Sequence, residues 1–218
     1  MIKEIWTLLR KEFMLEWKQR YAINGLLLYV LSMVVVISLA LLDKLNSVTW
    51  NIIYWIIILF VAINAVAKSF MSEKPGHLRY LYGVAAPASI IIAKIIYNLL
   101  LLSVMSLLAL GAFVFLTDQP IENPLQLMGM VVLGSFALAS NLTLVTAIAS
   151  KAENRNTLLA VLSFPLIVPT LLLLIRISRF PIEGLDADLS TDYVQLLGGM
   201  TVVMTALSVL LFPFVWRD

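Results

Sequence analysis

Apolar side chains fill six runs, at residues 22–42, 51–70, 89–116, 125–149, 157–175 and 193–215, each long enough to cross roughly 30 Å of hydrocarbon. Each run predicts a transmembrane helix. The segments between them carry turn and charge signals, such as Asp43-Lys44-Leu45-Asn46, Thr117-Asp118-Gln119-Pro120 and the stretch 176–192. Residues 1–20 follow a different rule. Ile2, Ile5, Trp6, Leu9, Phe13 and Trp17 recur at helical spacing on one face, with Lys3, Thr7, Arg10, Lys11 and Lys18 opposite. That pattern predicts a helix lying in the membrane interface. A helix packed on a protein surface gives the same periodicity, and both hold if a partner covers the polar side.

Lys3, Glu4, Arg10, Lys11, Glu12 and Glu16 break any apolar leader core, so the N-terminal helix is expected to stay on the protein. With that end cytoplasmic, the inner side holds Lys3, Arg10, Lys11, Lys18, Arg20, Lys68, Lys74, Arg79, Lys94, Lys151, Arg155 and Arg217. The outer side keeps Lys44, Arg176 and Arg179. Twelve basic residues against three predict both termini in the cytoplasm. Trp6, Trp17, Tyr21, Trp50, Tyr54, Trp55, Tyr193 and Trp216 fall near run ends and are expected at headgroup level.

Composition agrees with the pattern. The chain is 61% hydrophobic and 13% charged, against roughly 25% charged in a soluble domain. A net charge of +2, in short clusters between apolar runs, does not point to nucleic acid. No cysteine is present, which excludes disulfides, thiolate metal sites and a thiol nucleophile.

Self-sufficient chemistry is also excluded. A P-loop needs glycines before Lys-Ser/Thr, and Lys68-Ser69 lacks them. His77 is the only histidine, so one copy cannot assemble a paired-histidine metal site or a Ser-His-Asp triad. Gly134-Ser135 has no Gly-X-Ser-X-Gly frame, and no carboxylate pair lies within a run. The chain is therefore expected to be a non-catalytic membrane subunit that binds no cofactor directly. Asn64, Asn98, Ser103, Ser106, Ser140, Asn141, Thr143, Thr146 and Ser163 do enter the bilayer, where such groups bond across helices or line a cavity. No ligand pair or intramembrane charge marks a path for a large cofactor.

Two segments remain as functional candidates. Pro165 and Pro169 remove two backbone donors from one face of the fifth run and predict a kink or partial unwinding. This is either a hinge or a static bend. Residues 71–88 form the largest cytoplasmic connection, where Leu78, Tyr80, Leu81 and Tyr82 stand beside Glu73, Lys74 and Arg79. Aromatic and Arg side chains in such a loop suit a docking surface, although a short interfacial helix has the same composition.

These residues resemble those of a known family. Leu9-Arg10-Lys11-Glu12 with Glu16 and Trp17 is similar to its amphipathic interface helix, and Phe70 through Gly76 to Pro87, followed by Ile92-Ala93-Lys94, resembles its cytoplasmic loop. Leu158 through Pro165 to Pro169 and the ending Leu211-Phe212-Pro213-Phe214 extend the likeness over nearly the whole chain. The family is the CcmB-like heme exporter protein B, the permease subunit of the ABC-type complex of cytochrome c maturation. The resemblance implies an all-α class-2 ABC exporter permease of six transmembrane helices in the bacterial inner membrane. It implies an ATP-binding ABC ATPase subunit (CcmA-like), a haem-handling membrane subunit (CcmC-like), a small membrane subunit (CcmD-like) and a haem chaperone (CcmE-like). By that likeness Glu73, Gly76, Arg79, Tyr80 and Tyr82 become ATPase-docking candidates, Glu12, Glu16 and Trp17 interface-helix residues, and Pro165 and Pro169 helix-break residues. The loop departs from the family's more acidic pattern, since Glu73 is the only carboxylate between Ser72 and Tyr82. A class-2 ABC permease for a drug, lipid or polysaccharide, or a membrane assembly factor without transport, would share most of these features.

Overall fold

A computed structural model describes residues 2–18, 20–41, 46–71, 85–149 and 155–217. All regular structure among the described residues is helical. In chain order the helices are α1 (Ile2–Lys18), α2 (Arg20–Leu41), α3 (Ser47–Met71), α4 (Pro87–Thr117), α5 (Pro124–Ala149), α6 (Arg155–Glu183) and α7 (Thr191–Arg217), with a 3-10 turn at Ala187–Ser190. Five of them, α3 to α7, contain stretches of 24 to 31 residues apolar and long enough to cross a bilayer. Helix α2 adds the shorter apolar stretch Asn24–Ala40. The chain is thus an all-helical, multi-pass membrane protein.

Helix α5 lies at the centre and touches α3, α4, α6 and α7. Of its most apolar stretch 78% is buried, against 24% for α6 and 22% for α7. Small residues explain the central place, because Gly134, Ser135, Ala137, Ala139, Ser140 and Thr143 let neighbouring backbones approach. At Gly134 the need is steric: a Cβ there would overlap the edge of the Trp55 indole and lie 2.8 Å from Leu174 Cδ2. Exposed Val161, Phe164, Leu172, Val202, Leu210 and Phe214 give α6 and α7 outer faces suited to hydrocarbon rather than water.

The aromatic residues near the start of α3 pack against other helices. Trp50, Tyr54 and Trp55 are at most 1% exposed. Trp50 stacks on Phe113 at 4.9 Å and donates its indole N–H to Thr117 Oγ1 at 2.8 Å. Trp55 donates to Ser178 Oγ at 2.9 Å, and the Tyr54 hydroxyl to the Ser106 carbonyl at 3.0 Å. Satisfied polar tips make the burial of these rings favourable. Trp6, at 69% exposed, keeps the expected surface position. The side chains of Trp17, Tyr21 and Trp216 lie outside the described set.

Two expectations change. Helix α6 runs without a break through Pro165 and Pro169, so the partial unwinding does not occur. The two missing N–H groups are one full turn apart, and the intervening bonds carry the helix through. The same helix continues past Arg176, expected to begin a connection, to Glu183. It stops where Gly184 takes φ +66°, with the Leu185 N–H closing on the Phe180 carbonyl at 3.0 Å. The Arg179–Glu183 pair one turn apart supports this extension.

Candidate functional site

Charged groups meet where α1 lies against the bundle. Ile5, Leu8, Leu9 and Glu12 form the inward side of α1, with Leu8, Leu9 and Glu12 buried. Trp6 and Phe13 stand on an adjacent exposed flank. The helix therefore packs on protein through one face and offers an aromatic flank beside it, so both readings of its periodicity apply.

Lys94, on the second turn of α4, is the centre of the junction and only 1% exposed. Its ammonium donates to the Ser69 carbonyl at 3.0 Å, lies 3.7 Å from Glu12 Oε1 and sits 4.7 Å from the centroid of the Phe70 ring. Each contact has a physical reason. Ser69 lies in the last turn of α3, where backbone carbonyls lack helical donors and a lysine can supply one. The carboxylate and the ring face offset the desolvation of a buried cation, which unpaired costs several kcal/mol. Lys11, 3.2 Å from the same Glu12 oxygen, draws the carboxylate to the protein surface.

Two contacts extend the junction along α4. The Ser89 hydroxyl donates to Glu4 Oε2 at 3.0 Å, placing a carboxylate beside the N-terminus of α4, where the helix dipole favours negative charge. Phe13 meets Tyr97 edge-on at 5.5 Å. Helix α1 is thus fixed to α4 at three levels, and Lys94 ties that pair to the end of α3. The end of α3 at Met71 and the start of α4 at Pro87 both lie near this junction.

Among the expected site residues, the structure brings Glu12 into the junction. The side chains of Glu16 and Trp17, and the whole of Glu73, Gly76, His77, Arg79, Tyr80 and Tyr82, lie outside the described residues. Pro165 and Pro169 stand on the exposed side of α6. Sequence reading used Lys94 as a topology signal and as part of the family likeness, without a structural role, and assigned no role to Glu4, Ser69 or Ser89. Lys94 lies inside the apolar run 89–116. A signal was available, because an ionisable residue in an apolar run marks a functional position by default.

Buried polar groups deeper in the bundle join helices. Asn98 donates to Thr143 Oγ1 at 3.0 Å and Asn141 to Thr170 Oγ1 at 2.8 Å, while Ser106 and Ser135 share a 2.8 Å bond. Asn64 instead donates to Phe60 O in its own helix. Among the described residues no three His, Cys, Asp or Glu side chains converge as a metal site.

A central helix wrapped by apolar spans, with an amphipathic helix fastened to one end by a buried ion pair, defines a multi-pass helical membrane protein. The chain belongs to the CcmB family, whose profile, described as CcmB protein, matches residues 3–217. The family is that of the membrane ABC permease for haem transport in cytochrome c biogenesis, a subunit rather than a known catalytic enzyme. No curated protein matches the chain.

Proposed function

We propose that this chain couples ATP hydrolysis in a partner to haem delivery for cytochrome c maturation, either by releasing a haem-loaded chaperone or by haem export. Six spans, α2 to α7, with α1 as the interface helix, give the class-2 ABC exporter arrangement. The bias of basic residues supports a cytoplasmic position for both termini. An ABC ATPase binds the ATP and docks at the 71–88 connection, with Glu73, Gly76, Arg79, Tyr80 and Tyr82 as its contacts. The haem-handling subunit, the small membrane subunit and the chaperone supply the haem chemistry, and no cofactor is held by this chain itself.

The observation that carries this reading is the Lys94 junction. A push on residues 72–84 reaches α3 and α4 at their ends, and the Glu12–Lys94–Ser69 contacts make those ends and α1 move as one body. Rigid helices then transmit the displacement to the opposite face of the membrane. Pro165 and Pro169 give α6 an interrupted bond pattern on its exposed side, a place where such movement can bend it.

The test is cytochrome c yield in cells whose only copy carries Lys94→Met, alongside ATPase co-purification. Retained ATPase with yield lowered about tenfold supports coupling through the junction. Normal yield from both Lys94→Met and Glu12→Gln would end it. Replacing Arg79 and Tyr80 with alanine addresses docking separately, and unchanged ATPase recovery removes them as anchors.

A further inference from the structure

Helices α4 and α5 run antiparallel, and two bonds fix their register: Asn98 with Thr143 and, eight residues further along both helices, Ser106 with Ser135. That register brings Thr146, one turn from Thr143, to a height between Asn98 and Lys94, which are themselves one turn apart on α4. All four side chains are buried. Along this seam two polar atoms have no hydrogen-bond partner among the described residues, the Asn98 Oδ1 and the Thr146 hydroxyl.

Both atoms have had the chance of a local partner. Hydroxyls elsewhere in the membrane helices return to the carbonyl one turn back, as those of Thr117, Ser135, Thr170, Thr201, Thr205 and Ser208 do. Thr146 has the same route and does not take it. Turning the Asn98 amide over would only exchange its ends, because Thr143 meets one of them and leaves the other. A buried polar group left bare costs more than an ordinary hydrogen bond contributes, so two of them in one seam call for a ligand that bonds both.

The seam selects that ligand. The α5 stripe holding Thr143 also carries Ala139, Thr146 and Ala147, so no side chain longer than threonine fills it. Neither α4 nor α5 contains a carboxylate, and the Lys94 ammonium one turn away opposes a metal cation. For an anion, Lys94 is already engaged by Glu12 and Ser69. Water is small and neutral, donates and accepts, and needs two to four polar partners to be held in an interior. We infer that the α4–α5 seam binds an internal water, which takes the Thr146 hydroxyl proton and donates to the Asn98 amide oxygen. The site adjoins the Lys94 junction, and the assignment stands whether or not that junction couples ATP hydrolysis.

The sign of one substitution tests it. Thr146→Val keeps the shape of the side chain and deletes the hydroxyl. In a dry seam the change relieves a bare polar group and raises the melting midpoint of the full chain in neutral detergent. In a hydrated seam it takes away one of the water's partners and is expected to lower the midpoint by about 3 °C. Thr146→Ser, which keeps the hydroxyl, is expected to stay within about 1 °C of the unaltered chain. The Thr146→Val loss is expected to disappear once Asn98→Ala has removed the other partner, a coupling between residues that make no direct bond. If Asn98→Ala does not fold, Asn98→Thr removes the same amide and keeps a hydroxyl near Thr143. A raised or unchanged midpoint for Thr146→Val, or the same loss in both backgrounds, overturns the assignment. A midpoint that rises when sodium chloride replaces choline chloride, with the rise lost in Thr146→Val, also overturns it, in favour of a bound cation.

Discussion

Two ion pairs, one near each end of the bundle, differ in the opposite sense to their lengths. Arg179 and Glu183 meet at 2.7 Å, one turn apart on α6, with the arginine 55% exposed. Lys94 and Glu12 are 3.7 Å apart on different helices, with the lysine 1% exposed. The shorter pair holds together two residues that their own helix already places side by side, and water screens it. The longer pair joins segments 82 positions apart in the chain, and removing either partner leaves a charge in a poorly solvated place. Distance alone ranks them wrongly; burial and connectivity rank them by what they hold.

The comparison breaks most readily at Lys94. Lys94→Met is expected to lower stability by about 3 kcal/mol, within the range for breaking a buried pair, and to raise hydrogen exchange through α1. A melt in detergent and exchange mass spectrometry read both, and unaltered exchange in α1 would show that the pair does not fasten the helix. Glu12→Gln is milder, about 1.5 kcal/mol, because Lys94 keeps the Ser69 carbonyl and the Phe70 ring. The double variant should lose clearly less than the two single losses added together, whereas strict additivity would mean that Glu12 and Lys94 do not interact.

Smaller effects sharpen the contrast. Ser89→Ala removes a single hydrogen bond to Glu4 and is expected to cost about 1 kcal/mol, with exchange rising only in the first turn of α1. Arg179→Ala should change the melt by no more than about 0.5 kcal/mol, the range of an exposed pair one turn apart. A loss from Arg179→Ala equal to that from Lys94→Met would erase the distinction between the two sites.

Much of this architecture was legible beforehand, and the failures share one cause. Runs such as 89–116 and 125–149 are apolar on every face, so they announce a membrane helix without announcing which face meets protein. Trp50 and Trp55 were therefore placed by their position near a run end alone, and the space that Gly134 opens for the Trp55 ring could not be foreseen. Lys94 was read as a topology marker for a similar reason. Its partners Glu12 and Ser69 come from elements 82 and 25 residues away, and nothing local specifies that meeting. The interface helix fared better because its amphipathic period is local. Even there, periodicity could not tell the Leu8 and Glu12 side, which faces protein, from the Trp6 flank, which does not.

Sequence by itself determined that the chain is helical and membrane-embedded. Transfer from water to hydrocarbon depends on each side chain separately, and composition along the chain therefore sums it correctly. Only the tertiary structure decided which helix is central, where the tryptophans go, and that one lysine is withdrawn from water to join three helices. Those outcomes depend on pairs of residues distant in the chain, and a buried charge becomes tolerable only once its partners have been brought to it.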